Sequence, residues 1–572
     1  MTEPKTLPLG MTDADVQLHA CLDLLLMKAA MDHPGFQALA MELMTSDIVL
    51  ETEQGTPGWA YHIARRSGMG FDARFMMGVI LSRLTRKPEI LHKLLDVELE
   101  ALDAEDPDLE LMRRMHAAMT GALLRPLLKT ALGASPTDQF RLVSESHRVL
   151  DNMQDWTKKH IAPPSPSRQA AAKDGTSILL LLSWVPAEPN TGAHLKQLAS
   201  YTHGLMMAGQ AQGRGPVRVK LMLTYDNHTT WLVRNYQAYS KNSAAIIETA
   251  VKDALGPELA EQFSVEHILP PHHDSAADWV RHIVKSAEDF NPDAILRWYG
   301  FYASNVAVPA LHQRFPILGI QFNAKNPVDA YSDILLNQGE LAPEKADDPR
   351  WREHRTPIEV PPRRLDLTRE ELDLPAGART LVSTLSGGRL EKAIQLLPPD
   401  ARGQLLDLFE KYPDLVWFWV GVADEAGLRA LDPRLQSLIE TGRIRCLQFS
   451  DDLRALYQHC DLYVHLPAMH GGGMGVAMAV EEGKPVLCHA GADPCNFLPG
   501  NTIPTSWPGF LAELEQLIAS EQTRGTYASQ QSDWMRDKHS LAGVGGEVLG
   551  YIDEAVALHR AAASSQQTEP TS

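Results

Sequence analysis

The sequence predicts an α/β protein, with two doubly wound, Rossmann-like parallel-sheet domains preceded by an all-α domain. Three observations carry this prediction. Apolar residues at helix spacing run from Asp13 to about His160 almost without strand signals, and a proline- and serine-rich stretch follows. Beyond it, short apolar runs alternate with helix-length segments in two successive series, the pattern of parallel sheets covered by helices. At 572 residues and 44% apolar content the chain exceeds what one hydrophobic core organises.

In chain order, apolar residues recur three and four apart in "VQLHACLDLLLMKAAM", "FQALAMELM", "FMMGVILSRLTRK" and "LMRRMHAAMTGALLRPLLKTAL". Breaks fall at "DHPG", "KPE", "EDPD" and "GASPTD", where proline, glycine and capping residues stop a helix. These segments define an all-helical domain over 1–160, with no fixed repeat period. Residues 161–177, "IAPPSPSRQAAAKDGTS", have no apolar period and read as an extended linker. The runs "SILLLLSWV", "VRVKLMLTY", "FSVEHIL", "DAILRWYG" and "PILGIQF" then give the strands of a first sheet domain over 178–370. "TLVSTLS", "LVWFWVGV", "IRCLQF", "CDLYVHL" and "KPVLCHA" give those of a second over 371–545. Residues 546–572 comprise a helical stretch, "GEVLGYIDEAVALHRAAA", and a polar tail expected to be disordered.

Charge and motif content exclude several functions. With 72 acidic against 53 basic residues the net charge is -19, which repels nucleic acid and anionic membrane surfaces, and basic clusters such as Arg363-Arg364 and Lys158-Lys159 are too short to reverse this. The amino terminus has no basic stretch followed by an apolar core, so a cytoplasmic protein is expected. The most apolar run, Ile178 to Leu182, falls far short of the ~20 residues a membrane span requires. The 5 cysteines lack paired metal spacing, and "PPHHD" has no further ligand at a useful distance, so no metal site is expected. Neither a G-x-S-x-G elbow nor a Walker loop occurs.

Two strand-to-helix transitions carry chemistry. After "CDLYVHL" comes "PAMHGGGMGVAMAVEEG", in which His470, Gly471, Gly472, Gly473, Met474 and Gly475 form the loop and helix start. Glycines there let backbone N–H groups approach an anion that the helix dipole favours, a phosphate or diphosphate. Earlier, "TLVSTLSGGRLEKAI" places Gly387 and Gly388 just before Arg389 and Lys392, cations suited to neutralising a diphosphate as it leaves a sugar. His194, entering a helix past "NTG", and His228, in "YDNHTT" past a strand, are the candidate bases.

The order "LDLPAGARTLVSTLSGGRLEKAI", "DLVWFWVGV", "IRCLQFSDDLRALYQHCDLYVHLP" and "HGGGMGVAMAVEEGKPVL" resembles the carboxyl-terminal half of GT-B glycosyltransferases, and residues 176–210 resemble their acceptor half. The layout of a helical domain and two such halves, with "DNHTTWLVRNYQAYS" and "DAILRWYGFYASNVAVPALHQRFPILGIQFNAKNPVDAYSD", is similar to the bacterial cytoplasmic N-glucosyltransferases, relatives of O-GlcNAc transferase. The resemblance implies a nucleotide-sugar donor, a UDP-sugar, bound in a cleft between the two domains. It also implies a protein or glycan acceptor; side chains and helix termini can stabilise the leaving diphosphate and a histidine can act as base, so an inverting, metal-independent transfer with no cofactor is expected. It puts His228 near that cleft and the loop from His470 to Gly475 against the nucleotide.

One departure stands out. Retaining members of the fold place glutamates across the glycine loop, and the N-glucosyltransferases keep an acidic residue at the second position to hold the ribose. Here those positions are His470 and Met478, and a thioether cannot replace a carboxylate as an acceptor. Either Glu481 or Glu482 substitutes, the nucleotide is held differently, or the donor site is degenerate. The last case gives the rival reading, a non-catalytic partner-binding scaffold; a nucleotide-sugar epimerase is a third. A homo-oligomer is compatible with all of them.

Overall fold

The computed structural model describes residues 136–162, 175–185, 193–226, 236–269, 275–299, 306–321, 328, 330–385, 389–467, 469 and 471–567, with Leu99, Leu102, 108–113 and 115–116 upstream. The chain divides into two compact units, one of Met1–Leu195, Gly209–Glu353 and Val548–Ser572, the other of Lys196–Ala208 and His354–Glu547. Within the expected helical domain, 109–113 are helical and a helix spans Pro136–His160. The remainder of that expectation lies outside the described residues.

The first unit is built on a seven-stranded sheet in the order β3-β2-β1-β4-β5-β6-β7. Its strands are β1 Thr176–Leu182, β2 Val217–Leu223, β3 Phe263–His267, β4 Ala294–Tyr299, β5 Ile317–Gln321, β6 Ile334–Gln338 and β7 Trp351–His354. The pairings from β3 through to β6 are all parallel. Near-continuous apolar runs suit such a sheet because helices cover both faces, and Ile178 through Leu182 are fully buried. Helices Ala193–Ala211, Tyr236–Ala260, Ala276–Phe290 and Val308–His312 follow β1 to β4 in turn. Helix Ala276–Phe290 shows how local chemistry sets an end: the Ser275 hydroxyl accepts from the Asp278 amide, and Asn291 closes the helix in the left-handed region. Strands β6 and β7 extend the sheet beyond "PILGIQF", where the sequence reading ended it. The chain starts in the middle of the sheet and runs outward to β3, then returns to β4 on the other side of β1, so the order reverses between β1 and β4.

The second unit repeats this plan with five strands in the order β10-β9-β8-β11-β12. They are β8 Arg379–Thr384, β9 Leu415–Val420, β10 Ile444–Leu447, β11 Leu462–His465 and β12 Val486–Cys488, and every pairing is parallel. Strand β9 shows the period of two directly. Leu415, Trp417 and Trp419 enter one apolar core while Val416, Phe418 and Val420 enter the core on the opposite face. The Trp417 indole donates to Ser383 Oγ at 3.1 Å, so burying this ring leaves its polar atom satisfied. Here the order reverses between β8 and β11.

Helix Leu541–Gln567 ends the described chain. From Val548 on it belongs to the first unit, where Arg214 makes two hydrogen bonds to Asp553, at 2.9 and 2.6 Å, and Arg352 pairs with Glu554. Among the described residues no helix is long and apolar enough to cross a membrane.

Candidate functional site

Where strand order reverses in a parallel sheet, the loops leaving two neighbouring strands diverge and open a crevice at their carboxyl ends. In the second unit those neighbours are β8 and β11, with Leu462 opposite Leu381 and Tyr463 opposite Val382. Both glycine-containing transitions singled out in the sequence therefore leave the same edge side by side. One leads into helix Arg389–Leu396, the other into helix Gly473–Glu481.

The glycine loop has its conformation for stated reasons. Gly471 and Gly472 adopt φ of 88° and 90°, which an L side chain rarely takes. A Cβ at Gly475 would lie 2.8 Å from Thr384 Oγ1, and one at Gly473 would lie 2.4 Å from the Phe497 ring. The helix start is thus drawn tightly onto the strand ends. Beneath it, Thr384 Oγ1 lies 2.8 Å from the Tyr457 hydroxyl and 3.1 Å from that of Tyr463, and the Tyr463 hydroxyl donates to the Thr384 carbonyl. His465 is fully buried, and its Nε2 donates to the Met469 carbonyl at 3.0 Å, which fixes the protonated nitrogen and braces the loop.

Arg389 joins this assembly. A Cβ at Gly471 would come within 2.6 Å of Arg389 Nη1, so the guanidinium lies against the bare backbone of the glycine loop. Lys392, three residues on, shares the exposed face of the helix with Arg389, while Leu390, Ala393 and Ile394 bury the other. Glu391 anchors the helix: its Oε1 accepts from the amides of Ala423 and Asp424 just past β9. The first turn of a helix leaves N–H groups without intrahelical partners. A start at Gly473 next to a guanidinium thus makes an electropositive, side-chain-free surface suited to a phosphate or diphosphate.

The remaining candidates fall as follows. Met474 is half-buried against the unit's core, and Gly387, Gly388 and His470 lie outside the described residues. Met478 is 8% exposed and packs in that core. Glu482 cannot substitute for the missing carboxylate, because it pairs with Arg454 at 2.5 Å and Arg363 at 3.4 Å. Glu481 sits at the far end of its helix, about 12 Å along the axis from the glycine loop. In the first unit, His194 occupies the first turn of the helix that follows β1, beside that sheet's own reversal point. Burial lowers its pKa from the ordinary histidine value, which favours the neutral imidazole. His228 lies outside the described residues.

Thr384, Tyr457, Tyr463, His465 and Glu391 were not singled out in the sequence. They converge from separate strands, a helix and a crossover, and no short motif joins them; only the apolar context of "DLYVH" hinted that its histidine is buried.

No protein-family model matches the chain. No curated protein matches it either. Solved structures similar to it include an O-GlcNAc transferase mutant from Thermobaculum terrenum, 13% identical, covering 96% of this chain and 100% of that one with a TM-score of 0.47. Another is HepE of Anabaena in complex with UDP and glucose, 14% identical over 66% of this chain and 100% of that one, with a TM-score of 0.42. A glycosyltransferase from Rickettsia africae is 12% identical over 67% and 99% of the two chains, with a TM-score of 0.43. At TM-scores below 0.5 the chemistry rests on the residues of the site itself.

Proposed function

We propose that the protein is a glycosyltransferase that moves a sugar from a nucleotide-diphosphate donor, a UDP-sugar, to a protein or glycan acceptor with inversion. The observation that carries this reading is the guanidinium of Arg389 lying against the bare backbone at Gly471, beside the reversal of strand order in the second unit. The donor's diphosphate rests on the amides at the start of helix Gly473–Glu481. As the bond from the anomeric carbon to the diphosphate oxygen breaks, negative charge grows on that oxygen, and Arg389 and Lys392 neutralise it. The acceptor's nucleophilic oxygen or nitrogen bonds to the anomeric carbon from the opposite side. Its proton passes to a histidine, for which the neutral His194 is suited and His228 is the other candidate. Side chains and helix amides supply the stabilisation, so the transfer runs without a metal at the reacting centre.

The test is release of nucleoside diphosphate from a panel of nucleotide-sugars, with Arg389→Ala and Lys392→Ala compared with the parent. Removing a donor to a developing oxyanion costs about 100- to 1000-fold in turnover, and a loss of that order is expected for Arg389→Ala. Parental turnover in both variants would show that the donor binds elsewhere.

The scaffold reading is favoured by Met478 in the core and Glu482 in its ion pairs, which leave this helix without a carboxylate near the glycine loop. Calorimetry with nucleoside diphosphates separates the two, since a scaffold binds none of them.

A further inference from the structure

A cluster of metal-ligating side chains stands in the first unit, outside the site described above. His312 closes helix Val308–His312, Asp333 immediately precedes β6, and His559 lies on the final helix. One ligand atom from each falls within 4.8 Å of the others. A single carboxylate oxygen, Asp333 Oδ1, faces both rings, at 3.3 Å from His312 Nε2 and 3.4 Å from His559 Nδ1.

The two separations are slightly longer than the 2.7–3.2 Å usual for a hydrogen bond of nitrogen to oxygen. They match the edge of a tetrahedron around an ion with bonds of 2.0–2.1 Å, which is about 3.3 Å. An outer hydrogen bond orients the carboxylate, as is common at metal sites. Asp333 Oδ2 accepts from the Ile317 amide at 2.8 Å, and the His312 ring meets Tyr331 edge-on. His312 Nε2 is shielded from solvent and makes no hydrogen bond. The Lys158 ammonium lies over the Tyr331 ring and pairs with Asp155.

We propose that His312, Asp333 and His559 bind one divalent transition-metal ion of the zinc class, tying the final helix to the edge of β6. Two imidazoles and a carboxylate suit a borderline ion such as zinc and leave a fourth position for water. Sequence spacing could not reveal the site, because its ligands come from three distant segments.

The test uses the full chain, stripped of metal with a chelator and titrated with Zn²⁺ by calorimetry, alongside His312→Gln, His559→Gln and Asp333→Asn. The parent is expected to take up one equivalent at this site, and each variant to lose more affinity than the 10- to 100-fold typical of losing an outer partner. Zinc should raise the thermal midpoint of the parent and not of a variant that retains the parental circular dichroism. Cobalt substitution should give visible bands without thiolate charge transfer. A Cys488→Ser, Cys495→Ser double variant should keep the site, although those two sulfurs lie 3.2 Å apart. Undiminished zinc affinity in any two folded ligand variants, or no stoichiometric uptake by the parent, would overturn the proposal.

Discussion

At the scale of single residues, the glycines of the loop after β11 are set by two separate demands. Gly475 is small because Thr384, Tyr457 and Tyr463 crowd the position a Cβ would take, whereas Gly471 is small because an L side chain rarely adopts its φ of 88°. Gly471→Ala is expected to cost about 1–2 kcal/mol in stability from the left-handed backbone alone. It should also displace Arg389, whose flexible end can yield, and so weaken nucleoside-diphosphate binding by more than that stability loss explains. Denaturant unfolding together with calorimetry measures both, and parental affinity in a folded variant would separate the loop from the ligand. The glycine run was legible in the sequence because glycine is chemically conspicuous. The hydroxyl cluster beneath it was not, since Tyr457 and Tyr463 look like ordinary core aromatics until the helix and strand that carry them meet.

At the scale of elements, the strands announced themselves wherever both faces are buried. "LVWFWV" becomes β9 with every residue buried, and "SILLLL" becomes the centre of the larger sheet. Strand β7, "WREH", was not legible because it is short and polar, with only Trp351 and His354 buried. The same sequence pattern that reveals helix Arg389–Leu396 hides what positions it. Glu391 reads as a surface residue in "RLEKAI", yet it is 4% exposed and bridges to the amides after β9. Glu391→Ala is expected to loosen that helix, leaving two amides without their carboxylate, at a cost of about 1–3 kcal/mol. If Arg389 and Lys392 hold a donor as proposed, loosening their helix should raise the KM for nucleotide-sugar and lower kcat together, with Glu391→Gln recovering part of both. An unchanged KM and kcat in Glu391→Ala would remove it from any positioning role.

At the scale of the whole molecule, two histidines are packed against tyrosine hydroxyls and held neutral. Tyr225 meets His267 at 2.6 Å, and Tyr201 meets His354 at 2.6 Å. Burial pushes His267 down to about 4 and His354 down to about 3. The unfolded chain takes up these protons near the ordinary histidine value of about 6.5. Stability from both groups is therefore complete above that pH and declines below it, through about 4 for His267 and about 3 for His354. The slope is up to about 1.4 kcal/mol per pH unit for each. Thermal midpoints recorded from pH 7 down to 4 should fall accordingly, and His267→Gln should flatten part of the decline. A profile unaffected by that substitution would mean that the ring is protonated already in the native state.

The first unit is discontinuous: its last part, Val548–Ser572, is separated from the rest by the second unit's main segment. In that last part Val548, Leu549, Ile552 and Ala555 form one buried face of the final helix. During synthesis, a nascent chain released amino end first can complete the second unit while the first still lacks this stripe. Until Val548–Ala555 has emerged, the unfinished unit presents unsatisfied apolar surface, a window in which a chaperone can engage it and in which a premature stop leaves a product prone to aggregate.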